Sequence, residues 1–177
     1  MNFQVGDQVV HWNYGLGEII QIVEKRLNGR TSQYYVVKVR DLTVFVPVSE
    51  AGDGRLRFPT PPGDFEDLFS ILSSPAQPLP DDRQQRKIQL SNLLKDGKLD
   101  SLCRALRDLT FHCRTRKMNE NDKTVLERAQ NLLVSEWALS LSVTVAQASK
   151  HLNQLLGVDS FKANEPGQRN SAPSAWR

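Results

Sequence analysis

The side chains best suited to metal or nucleophilic chemistry in this chain are few: His11, His112 and His151, with Cys103 and Cys113. The histidines fall in three separate stretches, and no CxxC or HExxH spacing gathers them into a metal site. His112 and Cys113 are neighbours and could be read as a thiol–imidazole dyad. They fall in a helical pattern, where adjacent side chains point about 100° apart and do not face each other. Packing or surface roles suit them better. The stretch Tyr14-Gly15-Leu16-Gly17 lacks both the GxGxxG spacing and a following helix, so it is not expected to cradle phosphate. The chain is therefore read as a non-enzyme, with no cofactor, metal or small-molecule substrate.

Binding chemistry has more support. The net charge of +3 divides unevenly: residues 1–75 sum to −2 and residues 76–177 to +5. The C-terminal part thus leans toward an anionic partner. Arg83, Arg86 and Lys87 open one expected helix, and Lys123 lies in the first turn of another. Arg104, Arg107, Phe111 and Arg114 are expected to share a face opposite a leucine stripe. A basic face broken by an aromatic suits a nucleic-acid backbone, where lysine and arginine displace counterions. The competing reading is a solvated face with ordinary charge pairs.

A second binding signal lies in "RDLTVFVPVSE", residues 40–50. Alternation directs Leu42, Val44, Val46 and Val48 to one side and Thr43, Phe45 and Pro47 to the other. Pro47 cannot donate to a sheet ladder, which predicts an edge strand. Phe45 then either meets a partner that pairs with the edge or packs under a neighbouring helix, "FEDLFSIL".

These residues need elements to hold them. Residues 3–58 read as short strands broken by turns: one near Val9–His11, one after the Gly15 and Gly17 turn, and "TSQYYVVKVR". The fourth is "DLTVFVPVSE", with "RLRFP" as a short fifth. Asn28-Gly29 is a two-residue hairpin signal. Together they predict a small, strongly bent sheet or open barrel. Residues 59–82 carry Pro59, Pro61, Pro62, Pro75, Pro78 and Pro80 around a short helix and read as a stiff connector. Residues 83–157 switch to helical period, with Leu99, Leu102, Leu106 and Leu109 on one stripe, Gly97 and Gly157 as stops and Asn119 as an N-cap. Trp137 is expected in the core, Trp12 beside the sheet, and residues 158–177, with Trp176, as a disordered tail. Cys103 and Cys113 are ten residues apart, about 15 Å along one helix, too far for a disulfide in a straight helix. Two free thiols, no signal-peptide pattern in "MNFQVGDQVV" and no long apolar run lead to the expectation of a cytoplasmic protein without membrane contact.

Five segments, "FQVGDQVVHWNYGLGEI", "YYVVKV", "DLTVFVPV", "ALRDL" and "LERAQNLLVSEWALS", together resemble the CarD family, also called CarD/CdnL-like, of bacterial transcription regulators. The resemblance spans roughly residues 1–156, and its N-terminal module also occurs in the transcription-repair coupling factor. It implies an α+β multidomain fold, a Tudor-like small β-barrel followed by an all-helical domain. It further implies that the first domain pairs an edge strand with the β subunit of RNA polymerase, through Lys25, Thr43, Phe45 and Pro47 here. The helical domain would contact promoter DNA at the upstream edge of the bubble, weakly and largely without sequence preference, through Arg83, Arg86, Lys87 and Lys123. Relatives place a tryptophan before the first basic helix as a minor-groove wedge. This chain has "LPDDRQQRK" there, with Asp81, Asp82 or Arg83 in its place. Many relatives also carry arginine at the position of Phe45. The alternative is an adaptor that docks on polymerase and binds another protein, not DNA, with its helices.

Overall fold

The structure, a computed structural model, describes residues 2–27, 30–116 and 118–158. The Asn28-Gly29 turn and the tail from residue 159, with Trp176, lie outside them. Five antiparallel strands form one open sheet in the order β4-β3-β2-β1-β5. They are β1 (Gln8–His11), β2 (Gly15–Leu27), β3 (Arg30–Val39), β4 (Leu42–Pro47) and β5 (Leu56–Arg57). The alternation in their sequences puts Val9, Ile19, Val37, Val46 and Leu56 into one core with Phe3 and Tyr35. A bulge between Ile19 and Gln21 shifts the β2–β3 register, which adds local bend to the sheet. Gly17 sits at a close approach of β2 to β3: a Cβ there would lie 2.7 Å from the Lys38 carbonyl oxygen. The edges are β4 and β5, so the edge position predicted for the proline-bearing strand is observed.

Five helices follow: α1 (Phe65–Ser73), α2 (Arg83–Leu94), α3 (Leu99–Thr115), α4 (Glu120–Ser140) and α5 (Val145–Leu155). Their boundaries follow local chemistry. Asp82 accepts from the Gln85 amide at the start of α2, and Asn119 accepts from the Asp122 amide at the start of α4, as its sequence position predicts. Thr144 and Gln147 form a capping box on α5. Gly97 ends the α2 segment at a positive φ of 64°.

The leucine stripe of α3 divides between two clusters. Leu99, Leu102 and Leu106 pack with Leu133 and Trp137 of α4, Leu152 of α5, and Phe65, Leu68 and Leu72 of α1. Leu109 packs instead with Leu79, Leu90 and Ala105. The short helix expected among the prolines thus forms and buries its apolar face in the helical core. Trp137 is buried as expected. Burial of this many large apolar side chains, at about 1.5–3 kcal/mol each, is what fixes the helices against one another.

Sheet and helices also meet directly, with α4 against β2. A Cβ on Gly15 would come within 2.6 Å of Leu132, and one on Gly97 within 2.9 Å of Trp12. Arg40, at positive φ in the β3–β4 turn, donates to the Ser135 hydroxyl at 3.4 Å. The sheet's own exit residue, Arg57, reaches α4 through the ion pair described below.

Candidate binding surfaces

The free edge of the sheet carries three of the expected contact residues. On β4 the inward side chains Val44 and Val46 join the sheet core, while Phe45 points outward and is 44% exposed. Phe45 pairs in register with Val36 and Pro47 with Tyr34, so both belong to the outer face. The helix that could have covered Phe45, α1, is committed to the helical core. What lies on the ring is Lys25: its Nζ sits 3.2 Å from the ring centroid. Such a cation–π contact at an exposed site is worth about 0.5–1 kcal/mol, enough to hold the ammonium beside the ring. Thr43 is exposed next to them. The edge therefore offers main-chain pairing groups, a flat apolar ring and one positive charge.

The helical cations separate into two groups. Arg83 and Lys87 are exposed one turn apart on α2, and Lys123 is exposed on α4 in a 2.8 Å ion pair with Glu120. Arg86 behaves differently and corrects the expectation of a phosphate contact. It is 4% exposed, its Nε and Nη2 donate to Asp122 Oδ2 at 3.0 and 2.7 Å, and its Nη1 donates to the Pro80 and Asp81 carbonyls. With its donors turned inward, its role is to fasten the segment before α2 to the first turn of α4. Arg107 corrects the expected basic face of α3 in the same way. It is buried, donates to Asp108 at 2.8 Å and to the Ser74 hydroxyl at 2.6 Å, and so anchors the end of α1. Arg114 donates to the Leu156 carbonyl. Arg104 and Phe111 remain exposed on that helix.

The two carboxylates that stand where a wedge would be expected have structural partners. Asp82 caps α2, and Asp81 accepts from Arg116 at 2.9 Å. The nearest exposed large hydrophobic side chain in sequence among the described residues is Ile88, on α2.

Sequence reasoning missed the tie between the two halves. Glu136 is 2% exposed, and its Oε1 accepts from Arg57 Nη1 at 2.6 Å, from the Thr60 amide at 2.8 Å and from the Thr60 hydroxyl at 2.7 Å. Its Oε2 accepts from Arg57 Nη2 at 2.8 Å. The bidentate geometry is the strong form of an arginine–carboxylate pair. The available signal was a lone carboxylate inside an apolar run, "LLVSEWAL".

Burial pushes the Cys113 thiol up to about 11 and the Cys103 thiol up to about 12, with nearby carboxylates adding to both. Both cysteines are free. His112 is buried and its pKa is lowered by burial and then by Arg86. Among the described residues no group of histidine, cysteine and carboxylate side chains could hold a metal, and no helix is long and apolar enough to cross a membrane.

Comparison with known families agrees with this two-part architecture. Residues 3–57, which hold all five strands, match the CarD-like/TRCF RID domain. Residues 67–153 match the C-terminal domain of CarD. The chain is also 27% identical over 148 residues to a Bacillus subtilis (strain 168) protein named "Putative transcription factor YdeB", covering 82% of this chain and 96% of that protein. With both family regions present in order on the sheet and on the helices, the chain belongs to the CarD-like family of transcription factors.

Proposed function

We propose that this chain regulates transcription initiation by docking on the β subunit of RNA polymerase along the β4 edge and holding its helices near promoter DNA. The observation that carries the docking is the unpaired edge strand with an outward Phe45 and Lys25 seated over its ring. An edge strand left open is an aggregation hazard unless a partner strand completes it. Strand addition would supply the affinity through main-chain hydrogen bonds, and Phe45 and Lys25, flanked by Thr43 and Pro47, would supply the specificity. Family membership supports this choice of partner, because the sheet region matches the polymerase-interacting module of the family.

For DNA, the exposed cations Arg83, Lys87 and Lys123 are suited to backbone contacts without base readout. Arg86 is left out of this set because Asp122 and two carbonyls occupy its guanidinium. A wedge that unstacks a base step works at the level of a few kcal/mol. Asp81 and Asp82 cannot supply one, so the contact is weak. A second reading, in which the helices bind another protein, draws on the exposed Phe111 and Ile88.

Binding of the wild type and Phe45→Asp to purified cognate RNA polymerase tests the docking, with circular dichroism confirming the fold. Loss of binding in the folded variant is the expected outcome; equal binding overturns it. Affinity for a promoter fragment should fall steeply between 50 and 200 mM salt if phosphates are contacted. A flat salt response would favour the protein-binding reading.

A further inference from the structure

A cleft of about 330 Å³ lies between the sheet and the helices, walled by β1, Trp12, α2 and α4 and by the start of α3. Its size falls at the lower end of the range for small-molecule sites, about 300–1,000 Å³. Its inner wall is apolar, formed by Leu90, Leu94, Leu102, Val125 and Leu132. Its outer wall is positively charged. Lys87, Lys95, Lys98 and Arg128 line it and are all exposed.

These charges lack acidic partners. Among the described residues none of the four forms an ion pair with a carboxylate. Lys95 donates to the neutral Asn92 side chain at 3.1 Å, and Arg128 donates to the Asn13 carbonyl at 3.0 Å and to its side-chain oxygen. Among the described residues Glu136 is the one carboxylate lining the cleft, and its oxygens are both occupied by Arg57 and Thr60. Asp96 lies close in sequence, but its oxygens accept from the Lys98 amide and the Ser101 hydroxyl at the start of α3. An apolar pocket ringed by cations without counter-charges selects an occupant with an apolar body and an anionic end.

We propose that this cleft binds a small amphipathic monoanion, with its apolar part against α2 and α4 and its negative group among Lys87, Lys95, Lys98 and Arg128. Such a ligand would touch both halves of the molecule at once. The site is separate from the β4 edge, so its test is independent of polymerase docking.

The probe is 8-anilinonaphthalene-1-sulfonate, titrated by fluorescence against the full chain and then displaced by dodecanoate or by 1-dodecanol. The expected result is one saturable site per chain. Dodecanoate should displace the probe at least about tenfold more effectively than the alcohol, a difference of about 1.4 kcal/mol. Ser91 is exposed on α2 and lines the cleft, so Ser91→Trp should block the site without disturbing the core. Lys95→Glu/Lys98→Glu should abolish the preference for the anion, with the circular dichroism spectrum unchanged in both variants. Absence of a saturable site, equal displacement by the two competitors, or unaltered binding in Ser91→Trp would each overturn the proposal.

Discussion

Replacing Arg57 by alanine would remove the charge partner of a carboxylate that water can barely reach. Glu136 would keep the two hydrogen bonds from Thr60 on Oε1, but Oε2 would lose its donor and the negative charge would stand uncompensated. Breaking one side of a buried pair costs about 3–5 kcal/mol, whereas exposed pairs are worth about 0–1 kcal/mol. Arg57 is 25% exposed and Glu136 2%, so solvent reaches only the arginine side of the pair. That asymmetry argues for the lower end, about 3 kcal/mol. With a urea m-value of about 2 kcal/mol/M, the midpoint should fall by about 1.5 M. Far-UV circular dichroism and tryptophan fluorescence would follow the transition, and the two curves should superimpose in a two-state unfolding. The double change Arg57→Met/Glu136→Leu should cost less than Arg57→Ala, because it removes the buried charge together with its partner. A loss below about 1 kcal/mol for Arg57→Ala would refute the reasoning, as would a double variant less stable than the single one.

Arg86→Ala and Lys87→Ala should divide cleanly. The first leaves Asp122, 1% exposed, without its cation and should destabilise by about 3 kcal/mol or more. The second should change stability by no more than about 0.5 kcal/mol and lower the salt slope of DNA binding by about one. Reversed effects in urea melts and binding isotherms would disprove this division. Acid should weaken the fold. His11 is held below its ordinary value of 6.5 by burial and then by Arg55, and His112 by burial and then by Arg86. The unfolded chain therefore binds more protons around and below pH 6.5, and the stability present above that pH is lost as pH falls through the folded-state values. His11 Nδ1 also accepts from the Asn13 and Tyr14 amides, which protonation would break. The melting temperature should drop from pH 7.5 to 5.5, and the drop should shrink in His11→Gln/His112→Gln; an unchanged slope would contradict it. Finally, a Cys113 thiol at about 11 is ionised only about once per thousand at pH 8. Ellman's reagent should label the native protein slowly and the urea-unfolded protein fast, and rapid native labelling would revive a reactive-thiol role.

Much of the fold could be read from period and punctuation. Alternating valines and one proline were enough to make β4 an edge with Phe45 outward, because strand geometry leaves the side chain no other face. Asn119 and Gly97 were legible for similar reasons, since cap chemistry is local. Arg86 and Arg107 were misjudged because a helical wheel shows which side of a helix a residue takes but not what covers that side. Their partners Asp122 and Ser74 lie 36 and 33 residues away, and Glu136 meets Arg57 across 79. Such pairs depend on how separate elements pack, which no local pattern records. The cleft between sheet and helices was invisible for the same reason.

The Glu136 tie between sheet and helices gives the molecule the properties of a ruler. α4 alone is 21 residues, about 31 Å at 1.5 Å per residue, and it is fixed near its C-terminal end, at Glu136, to the strand that leaves the sheet. If the β4 edge docks as proposed, the cations on α2 and α4 would be carried to one set distance and direction from that edge. A second contact made by an already docked molecule is intramolecular, with an effective concentration of about a millimolar or more where the geometry matches the span. At that concentration even a contact with a millimolar dissociation constant is half occupied. Under the proposed docking, a helical domain without a wedging tryptophan would act on DNA only where the sheet has already placed it, and its location on the promoter would follow from the docked polymerase and not from the DNA contact itself.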